Sequence, residues 1–145
     1  MSTHLTALAF DYGTKKIGVA TGQSITQTAS PLAVLPARDG VPDWSTIEKL
    51  VKEWQPDVFI VGMPFNMDGS ESNMTVRAQK FSQRLNGRFN IPCYTIDERL
   101  SSREAKDIRK NMAAAHGKKY NERDAIDSIA AQLILESWFA SAAAL

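Results

Sequence analysis

Short apolar runs separated by turn residues make up the first part of the chain. Residues 5–10 and 17–20 are apolar, and the glycine-containing segment 12–16 joins them. Two short runs around such a turn predict an antiparallel β-hairpin. Residues 28–36 contain two prolines, which favours a third strand at the edge of a sheet. Residues 37–43, with a glycine and a further proline, predict a loop.

Beyond residue 43, helical and strand-like patterns alternate. Residues 45–48 form a capping box, Ser-Thr-Ile-Glu, at the start of a helix whose apolar residues recur at helical spacing up to Trp54. The continuous apolar run at 58–61 predicts a strand buried on both faces in a parallel arrangement. A loop over residues 62–70 follows it. The later predicted elements are a helix over 73–86, capped by Ser70 or Ser72 and closed by Gly87, a strand over 91–96, and helices over 101–112 and 122–139.

The predicted element order, β-β-β-α-β-α-β-α-α, favours the α/β class. Three antiparallel strands followed by two right-handed βα units make a five-stranded mixed sheet with helices on its faces. A chain of 145 residues, 43% of them hydrophobic, is long enough to bury one good core. We therefore expect a single domain that spans residues 1–145.

Composition excludes several other classes of protein. No apolar run approaches the roughly 20 residues that a membrane-spanning helix needs, and the amino-terminal residues lack a signal-peptide pattern. Cys93 is the single cysteine, so an intrachain disulfide is excluded and a reducing cytoplasm is the expected compartment. The net charge is only +1, so the overall charge does not indicate a nucleic-acid binder.

The positive charges are nevertheless concentrated in two segments. Residues 72–88 and 101–123 are basic within an otherwise mildly acidic chain. In the first segment, Arg77, Lys80 and Arg84 recur at spacings that place them on or near one helix face. Such a stripe suits a phosphate backbone, and an ordinary solvated helix face is the alternative.

Carboxylates occur where apolar elements end, and one occurs inside an apolar element. Asp11 ends the first strand, and Asp127 lies within the apolar final helix. Asp97 and Glu98 end the last strand. Because neighbouring parallel strands end at the same edge of a sheet, Asp11 can lie beside an acid that ends another strand. The side chains of Asp97 and Glu98 alternate between opposite faces of the sheet, so only one of these two acids can lie beside Asp11. For Asp11, a role as turn former or helix cap is the alternative.

Three converging acids without a histidine or cysteine cluster indicate a site for the hard, oxygen-preferring ions Mg²⁺ or Mn²⁺. The chemistry that uses such a site is two-metal phosphodiester cleavage, in which one ion generates hydroxide and the other stabilises the leaving 3′-oxygen. Motifs of competing functions are absent from the sequence: it has no phosphate-binding P-loop, no dinucleotide-binding glycine fingerprint, no His-Glu-x-x-His and no Cys-x-x-Cys.

Four segments of the chain, taken together, form a pattern that is specific enough to compare with known protein families. They are Phe-Asp-Tyr-Gly-Thr-Lys-Lys-Ile-Gly-Val-Ala at 10–20, Val-Gly-Met-Pro-Phe-Asn-Met-Asp-Gly-Ser at 61–70, Asp-Glu-Arg-Leu-Ser-Ser-Arg-Glu-Ala at 97–105 and Asp-Ser-Ile-Ala-Ala-Gln-Leu-Ile-Leu-Glu at 127–136. Through these segments, which span nearly the whole chain, the sequence resembles the YqgF family, the Holliday-junction resolvase-like group associated with maturation of pre-16S ribosomal RNA.

The resemblance implies a ribonuclease H-like fold and a nuclease site in which Asp11, Glu98 and Asp127 are catalytic and bind metal. The implied activity is that of a hydrolase: a cytoplasmic endonuclease that processes the 5′ end of pre-16S ribosomal RNA in ribosome biogenesis, using two Mg²⁺ or Mn²⁺ ions. Its partners would be structured pre-ribosomal RNA and a ribosomal particle, and the protein would be a monomer or a homodimer. The residues expected to bind the RNA backbone are Lys15, Lys16, Arg77, Lys80, Arg84 and Arg99.

Three other functions stay open at this point. Branched DNA is the main alternative substrate, and symmetric cleavage of a Holliday junction requires two active sites, hence a dimer. A nucleotide-binding phosphotransferase is suggested by Asp-Tyr-Gly-Thr at 11–14, but such proteins close two lobes around ATP and this chain supplies one. The third alternative is a non-catalytic module that binds nucleic acid or ribosomes.

Overall fold

The computed structural model describes residues 5–98 and 122–143, which form a mixed sheet flanked by helices. The predicted helix over residues 101–112 lies outside the described residues. In chain order the described elements are β1 (Thr6–Asp11), β2 (Lys16–Gln23), β3 (Thr28–Arg38), β4 (Val41–Pro42), α1 (Trp44–Trp54), β5 (Val58–Met63), α2 (Asn73–Phe89), β6 (Cys93–Asp97) and α3 (Glu122–Ala143).

Strand β1 lies inside the sheet, whose order is β4-β3-β2-β1-β5-β6. It pairs antiparallel with β2 and parallel with β5, and β5 pairs parallel with β6. The carboxyl ends of β1, β5 and β6 therefore meet at one edge of the sheet. This is the mixed α/β arrangement that the order of apolar runs predicts.

The sheet has six strands in the described residues, so the predicted count of five is wrong by one. The added strand is β4, two residues that pair with Ala37 and Arg38 of β3. Asp39 and Gly40 form the turn between them, with φ angles of 49° and 81°. Residues 37–43 were expected to be a loop because a two-residue strand is too short to show an alternating apolar pattern.

Helix α1 begins one residue before the predicted capping box. Its N-cap is Asp43, whose carboxylate accepts hydrogen bonds from the Ser45 hydroxyl at 2.6 Å and from the Ser45 amide at 3.0 Å. Both hydrogen bonds lower the pKa of Asp43, and the bond from the hydroxyl has the larger effect. The prediction that the capping box begins at Ser45 is wrong because its hydroxyl donates to a carboxylate, which is the stronger acceptor.

Helix α2 begins where expected and ends later than expected. Of the two candidate caps, Ser72 is correct, and it shares a reciprocal capping box with Thr75. Gly87 does not end the helix, which continues to Phe89 and ends at Asn90, with a left-handed φ of 55°. Because the Phe89 side chain packs against the core, burial extends the helix past the glycine.

The two faces of the sheet bury different kinds of residue. We call the side covered by α1 and α2 the aromatic face, because the rings of Phe10, Phe59 and Phe81 pack there edge-to-face, with centroids 5.6 to 5.8 Å apart. We call the opposite side, against which α3 packs, the α3 face. On that side β1 contributes the small residues Ala7 and Ala9. Strand alternation thus sends successive β1 residues to opposite faces.

Within the described residues, no helix has both the length and the apolar character needed to cross a membrane.

Candidate active site

Asp11 lies at the carboxyl end of β1 and is half-buried. It follows Ala7 and Ala9 at intervals of two, and both alanines pack on the α3 face. Alternation therefore directs Asp11 toward the α3 face as well. Its partner on β2 is Gly18, so β2 carries no side chain beside the carboxylate.

Glu98 comes directly after β6, and its side chain lies over Gly62 of β5. A Cβ atom built on Gly62 would be 2.6 Å from Glu98 Oε1 and 2.8 Å from Glu98 Cγ. The same Cβ would be 2.6 Å from Cδ1 of Ile134, a residue of α3. The Glu98 carboxylate is therefore on the α3 face, between β5 and the helix.

The register of the sheet brings Asp11 and Glu98 to the same place. Phe10 pairs with Val61 in the parallel β1–β5 ladder. One residue further along, Asp11 and Gly62 are at the same level on strands about 4.8 Å apart. Since Glu98 lies over Gly62, the two acids are neighbours on the α3 face.

Strand alternation also separates Asp97 from Glu98. On β6, Tyr94 stacks on Trp138 of α3, with ring centroids 5.8 Å apart. Cys93 packs instead against the core of the aromatic face. Asp97 shares the parity of Cys93, so it belongs to the opposite side of the sheet from Glu98. Of these two acids, Glu98 is therefore the one that lies on the same face of the sheet as Asp11.

Asp127, the third predicted acid, lies in α3, directly before the buried Ser128. It precedes Ile134 by seven residues, which places the two positions on the same stripe of the helix, two turns apart. Its side chain is outside the described residues. Among the side chains that are described, no three of histidine, cysteine, aspartate and glutamate lie close enough together to hold a metal ion.

The turn that follows Asp11 carries two of the predicted RNA-binding residues. Lys15 is exposed, and Lys16 is half-buried at the start of β2. The β3–β4 hairpin holds this turn in place, because Gly40 N–H donates to the Thr14 carbonyl and Ala37 N–H donates to the Lys15 carbonyl, each at 2.8 Å. The two lysines therefore extend from an ordered turn next to Asp11.

The stripe on α2 lies on the other side of the sheet. Lys80 and Arg84 are exposed on a helix that covers the aromatic face, so the structure does not bring them together with Asp11 and Glu98. Arg77 is half-buried and pairs with Asp39 at 3.1 Å.

The hydrogen bond that Arg77 donates to Asp39 raises the pKa of the guanidinium above its ordinary value. Arg77 therefore joins α2 to the β3–β4 hairpin. Arg99 lies outside the described residues. The RNA-binding role of all six basic residues stays a prediction.

Sequence reasoning missed that Gly62 belongs to a strand of this site. Its position was assigned to a loop over residues 62–70, but β5 continues through Gly62 to Met63. A glycine inside an otherwise bulky, buried strand often marks a close approach of another group, and that signal was present in the sequence. The loop itself begins at Pro64 and is held by its own hydrogen bonds, such as Asn66 N–H to the Ser70 carbonyl at 2.9 Å.

Comparison with known proteins gives a consistent result. A family model described as "RuvX: Holliday junction resolvase" matches residues 5–141. A protein of Saccharophagus degradans named "Putative pre-16S rRNA nuclease" is 56% identical over 138 residues, which are 94% of each chain. A Pseudomonas fluorescens protein of the same name is 58% identical over 132 residues, 90% of this chain and 89% of the other.

Solved structures show the fold. Thermus thermophilus RuvC in complex with a Holliday junction substrate matches with a TM-score of 0.60 at 14% identity, covering 97% of this chain and 96% of that one. The yeast mitochondrial Holliday junction resolvase Ydc2 matches with a TM-score of 0.56 at 10% identity, covering 92% and 77%. These neighbours confirm the predicted ribonuclease H-like fold. The chain belongs to the RuvX family, which is the YqgF family of the sequence analysis, a family of nucleases that hydrolyse phosphodiester bonds.

Proposed function

We propose that this protein is a metal-dependent endonuclease that processes the 5′ end of pre-16S ribosomal RNA, with Asp11, Glu98 and Asp127 as its catalytic carboxylates. The observation that carries the proposal is the position of Glu98. Its carboxylate lies over Gly62, one strand from Asp11 and on the same face of the sheet. Neighbouring carboxylates repel each other, and a cation bound between them relieves that repulsion.

The residues present suit Mg²⁺ or Mn²⁺. Asp11 and Glu98 offer only carboxylate oxygens, the donors that these hard ions prefer. We propose that these two acids and Asp127 would hold a pair of ions. When bound, such a pair supplies a hydroxide from water and stabilises the leaving 3′-oxygen.

The protein itself contributes orientation and charge. Asp11 ends a strand that pairs with β2 on one side and with β5 on the other, so the sheet fixes its backbone position. Lys15 and Lys16 follow it on a turn fixed by the β3–β4 hairpin, close enough along the chain to neutralise phosphates on either side of the scissile bond. In this proposal, Lys15 and Lys16 hold the ribosomal RNA by its phosphate backbone, and the RNA is cut beside Asp11 and Glu98.

The proposed substrate is structured, pre-ribosomal RNA, free or in a ribosomal particle, and the proposed compartment is the cytoplasm. The names of the bacterial relatives support RNA. The description of the family model and the RuvC complex support branched DNA as the alternative within the same chemistry. We further propose that residues 1–145 form one domain, as a monomer when RNA is cut or as a homodimer if a junction is cut symmetrically.

The test is cleavage of a 5′-extended pre-16S ribosomal RNA fragment with Mn²⁺, with Mg²⁺ and with EDTA. Wild type is compared with Glu98→Gln and with Glu71→Gln, a matched change at an exposed glutamate before α2. A four-way DNA junction is tested as a substrate in parallel. Metal-dependent RNA products from wild type and Glu71→Gln, absent with Glu98→Gln, are expected.

Other outcomes assign a different function. Cleavage of the junction alone would make DNA the substrate. Tight binding of RNA without cleavage by any variant would favour a non-catalytic binding module over an enzyme.

The part played by α2 is tested separately. Arg84→Glu places a negative charge on the exposed stripe, so we expect weaker RNA binding and a shallower dependence of affinity on salt. Lys52→Glu is the control, since Lys52 is an exposed cation of α1 that pairs with Glu48 in its own helix. Equal RNA affinities for Arg84→Glu and wild type at low salt would remove α2 from the proposed interface.

A further inference from the structure

Gly62 interrupts an otherwise bulky strand. All six residues of β5 are buried, and every one except Gly62 has an apolar side chain. Val58 and Ile60 pack on the α3 face, and Gly62 is the next residue of the same parity. A third apolar side chain at residue 62 would continue this stripe under α3. Instead, the space above the strand is occupied by Glu98.

Backbone conformation does not require a glycine at this position. The described glycines with a positive φ include Gly40 and Gly69, and Gly62 is not among them. A glycine is needed here because of neighbouring atoms. A Cβ at residue 62 would be 2.6 Å from both Glu98 Oε1 and Ile134 Cδ1, and 2.8 Å from Glu98 Cγ. Contacts this short between a Cβ and its neighbours are not tolerated, so even a methyl group would displace something.

We propose that Gly62 is a positioning residue for the catalytic carboxylate: its missing side chain creates the space that lets Glu98 fold back over β5 toward Asp11. Two of the three closest atoms belong to Glu98, and they include the carboxylate oxygen itself. A methyl group at residue 62 would displace that oxygen from its place over β5. This inference rests on the proposed function, because it gives Gly62 a role only if Glu98 is part of the site.

A competing role for Gly62 is the spacing of α3 alone, through Ile134. The two roles predict different suppressors of Gly62→Ala. Glu98→Ala removes both close atoms of the glutamate, and Ile134→Val removes the single close atom of α3, its Cδ1. If Gly62 acts through Glu98, the methyl group should have no effect on the site once the glutamate side chain is gone.

The experiment is a double-mutant cycle on Mn²⁺ affinity, measured by calorimetric titration, together with thermal unfolding of the metal-free protein and cleavage of the RNA. We expect Gly62→Ala to weaken Mn²⁺ binding at least about tenfold, as when the support of a metal ligand is removed. It should also lower kcat with little change in KM for the RNA, because RNA binding does not involve residue 62. Glu98→Ala itself should weaken Mn²⁺ binding and leave the weaker binding of the remaining acids, and in that background Gly62→Ala should cause no further loss of affinity.

The control is Gly87→Ala, at a glycine of α2 whose added Cβ meets nothing within 4 Å. It should bind Mn²⁺ and cleave RNA as wild type does. If Gly62→Ala alone does not fold, Gly62→Ala with Glu98→Ala should restore thermal stability. Restoration of affinity or folding by Ile134→Val instead would overturn the inference, since α3 spacing would then explain the glycine.

Failure of the proposed function would look different. Glu98→Ala would then bind Mn²⁺ and cleave RNA as wild type does. If Glu98→Ala weakens Mn²⁺ binding and stops cleavage while Gly62→Ala keeps both at wild-type level, the nuclease site stands and the role of Gly62 is wrong.

Discussion

The two faces of the sheet differ in the size of the side chains that pack on β1 and β2. On the aromatic face, Phe81 contacts the rings of Phe10, Tyr12 and Trp44, with centroids 5.6, 4.9 and 5.8 Å away. On the α3 face, β1 and β2 present small residues such as Ala9 and Gly22, and α3 approaches the backbone of β2 closely, while bulkier aliphatic side chains come from β5 and β6. Large rings bury the most apolar area, while small residues leave room for polar groups next to the backbone. Stability is thus expected to depend mainly on one face and chemistry on the other.

The largest effect is expected from Asp11→Asn on the α3 face. Cleavage should fall by at least about a hundredfold, the scale for loss of a group that binds a catalytic metal, while the protein folds normally. Stability should be equal or higher, because removing one of two neighbouring acids relieves repulsion. RNA cleavage and urea unfolding of the same preparation check both parts. A large loss of stability would instead show that Asp11 is structural.

The next effect is expected from Phe81→Ala on the aromatic face. Phe81 is 2% exposed and contacts three other rings, so truncation should cost about 3–5 kcal/mol of unfolding free energy. Denaturant unfolding measures it, with Phe81→Leu as a control that should lose less. Cleavage per folded molecule should be unchanged. A matching fall in that rate would show that the faces are coupled, with Tyr12 as the connection beside Asp11.

A smaller effect is expected from Gly22→Ala, which tests the close approach of α3. The added Cβ would meet the Thr28 carbonyl oxygen, Leu135 Cδ2 at 2.9 Å and Phe139 Cε2 at 3.1 Å. Such overpacking should cost about 1–3 kcal/mol by urea unfolding. The exposed Gly87 gives the opposite control, since alanine in a helix should gain about 0.5–1 kcal/mol there. Equal stabilities for both alanine variants would mean that α3 can move away without cost.

The smallest effect on activity and on stability near neutral pH is expected from Cys93, at the margin of the aromatic core. Burial raises the pKa of its thiol from 9.0 to about 12, partly offset by a hydrogen bond with Ser82. The thiolate fraction near pH 8 is then about a thousandfold lower than in the unfolded chain, so alkylation should be correspondingly slow until urea is added.

The same shift sets the sign of a pH dependence. Because the folded pKa is raised, the stability contributed by the neutral thiol is complete below about pH 9 and is lost as the pH rises toward about 12. Cys93→Ala should remove this alkaline loss. Equal alkylation rates in the folded and unfolded protein would contradict the burial of the thiol.

Several elements were predictable because their signals are local. The β-branched run at 58–61 is long enough to specify a buried strand, and Ser72 lies where a cap must precede α2. Asp43 and Asn90 were not found as helix ends because competing residues lie within one turn of each. Which donor and acceptor pair there depends on distances of a few tenths of an ångström, and those depend on packing.

The candidate site, too, was predictable in part from the sequence. Asp11, Glu98 and Asp127 could be named from the sequence, since an acid at the end of an apolar element or inside one is costly without a partner. Resemblance to a family selected Glu98 over Asp97. The sequence also contained the basic stripe of α2, but periodicity within a helix does not say which face of a sheet the helix will cover.

By itself, the sequence determined the class of the fold, the order of its elements and the acids worth testing, because short-range pattern and side-chain chemistry are properties of neighbouring residues. Only the tertiary structure decided that α2 lies across the sheet from Asp11, and that Gly62 of β5 lies beneath the carboxylate of Glu98. Those relations join residues far apart in the chain, and they exist only once strand register and helix packing have fixed the distances between them.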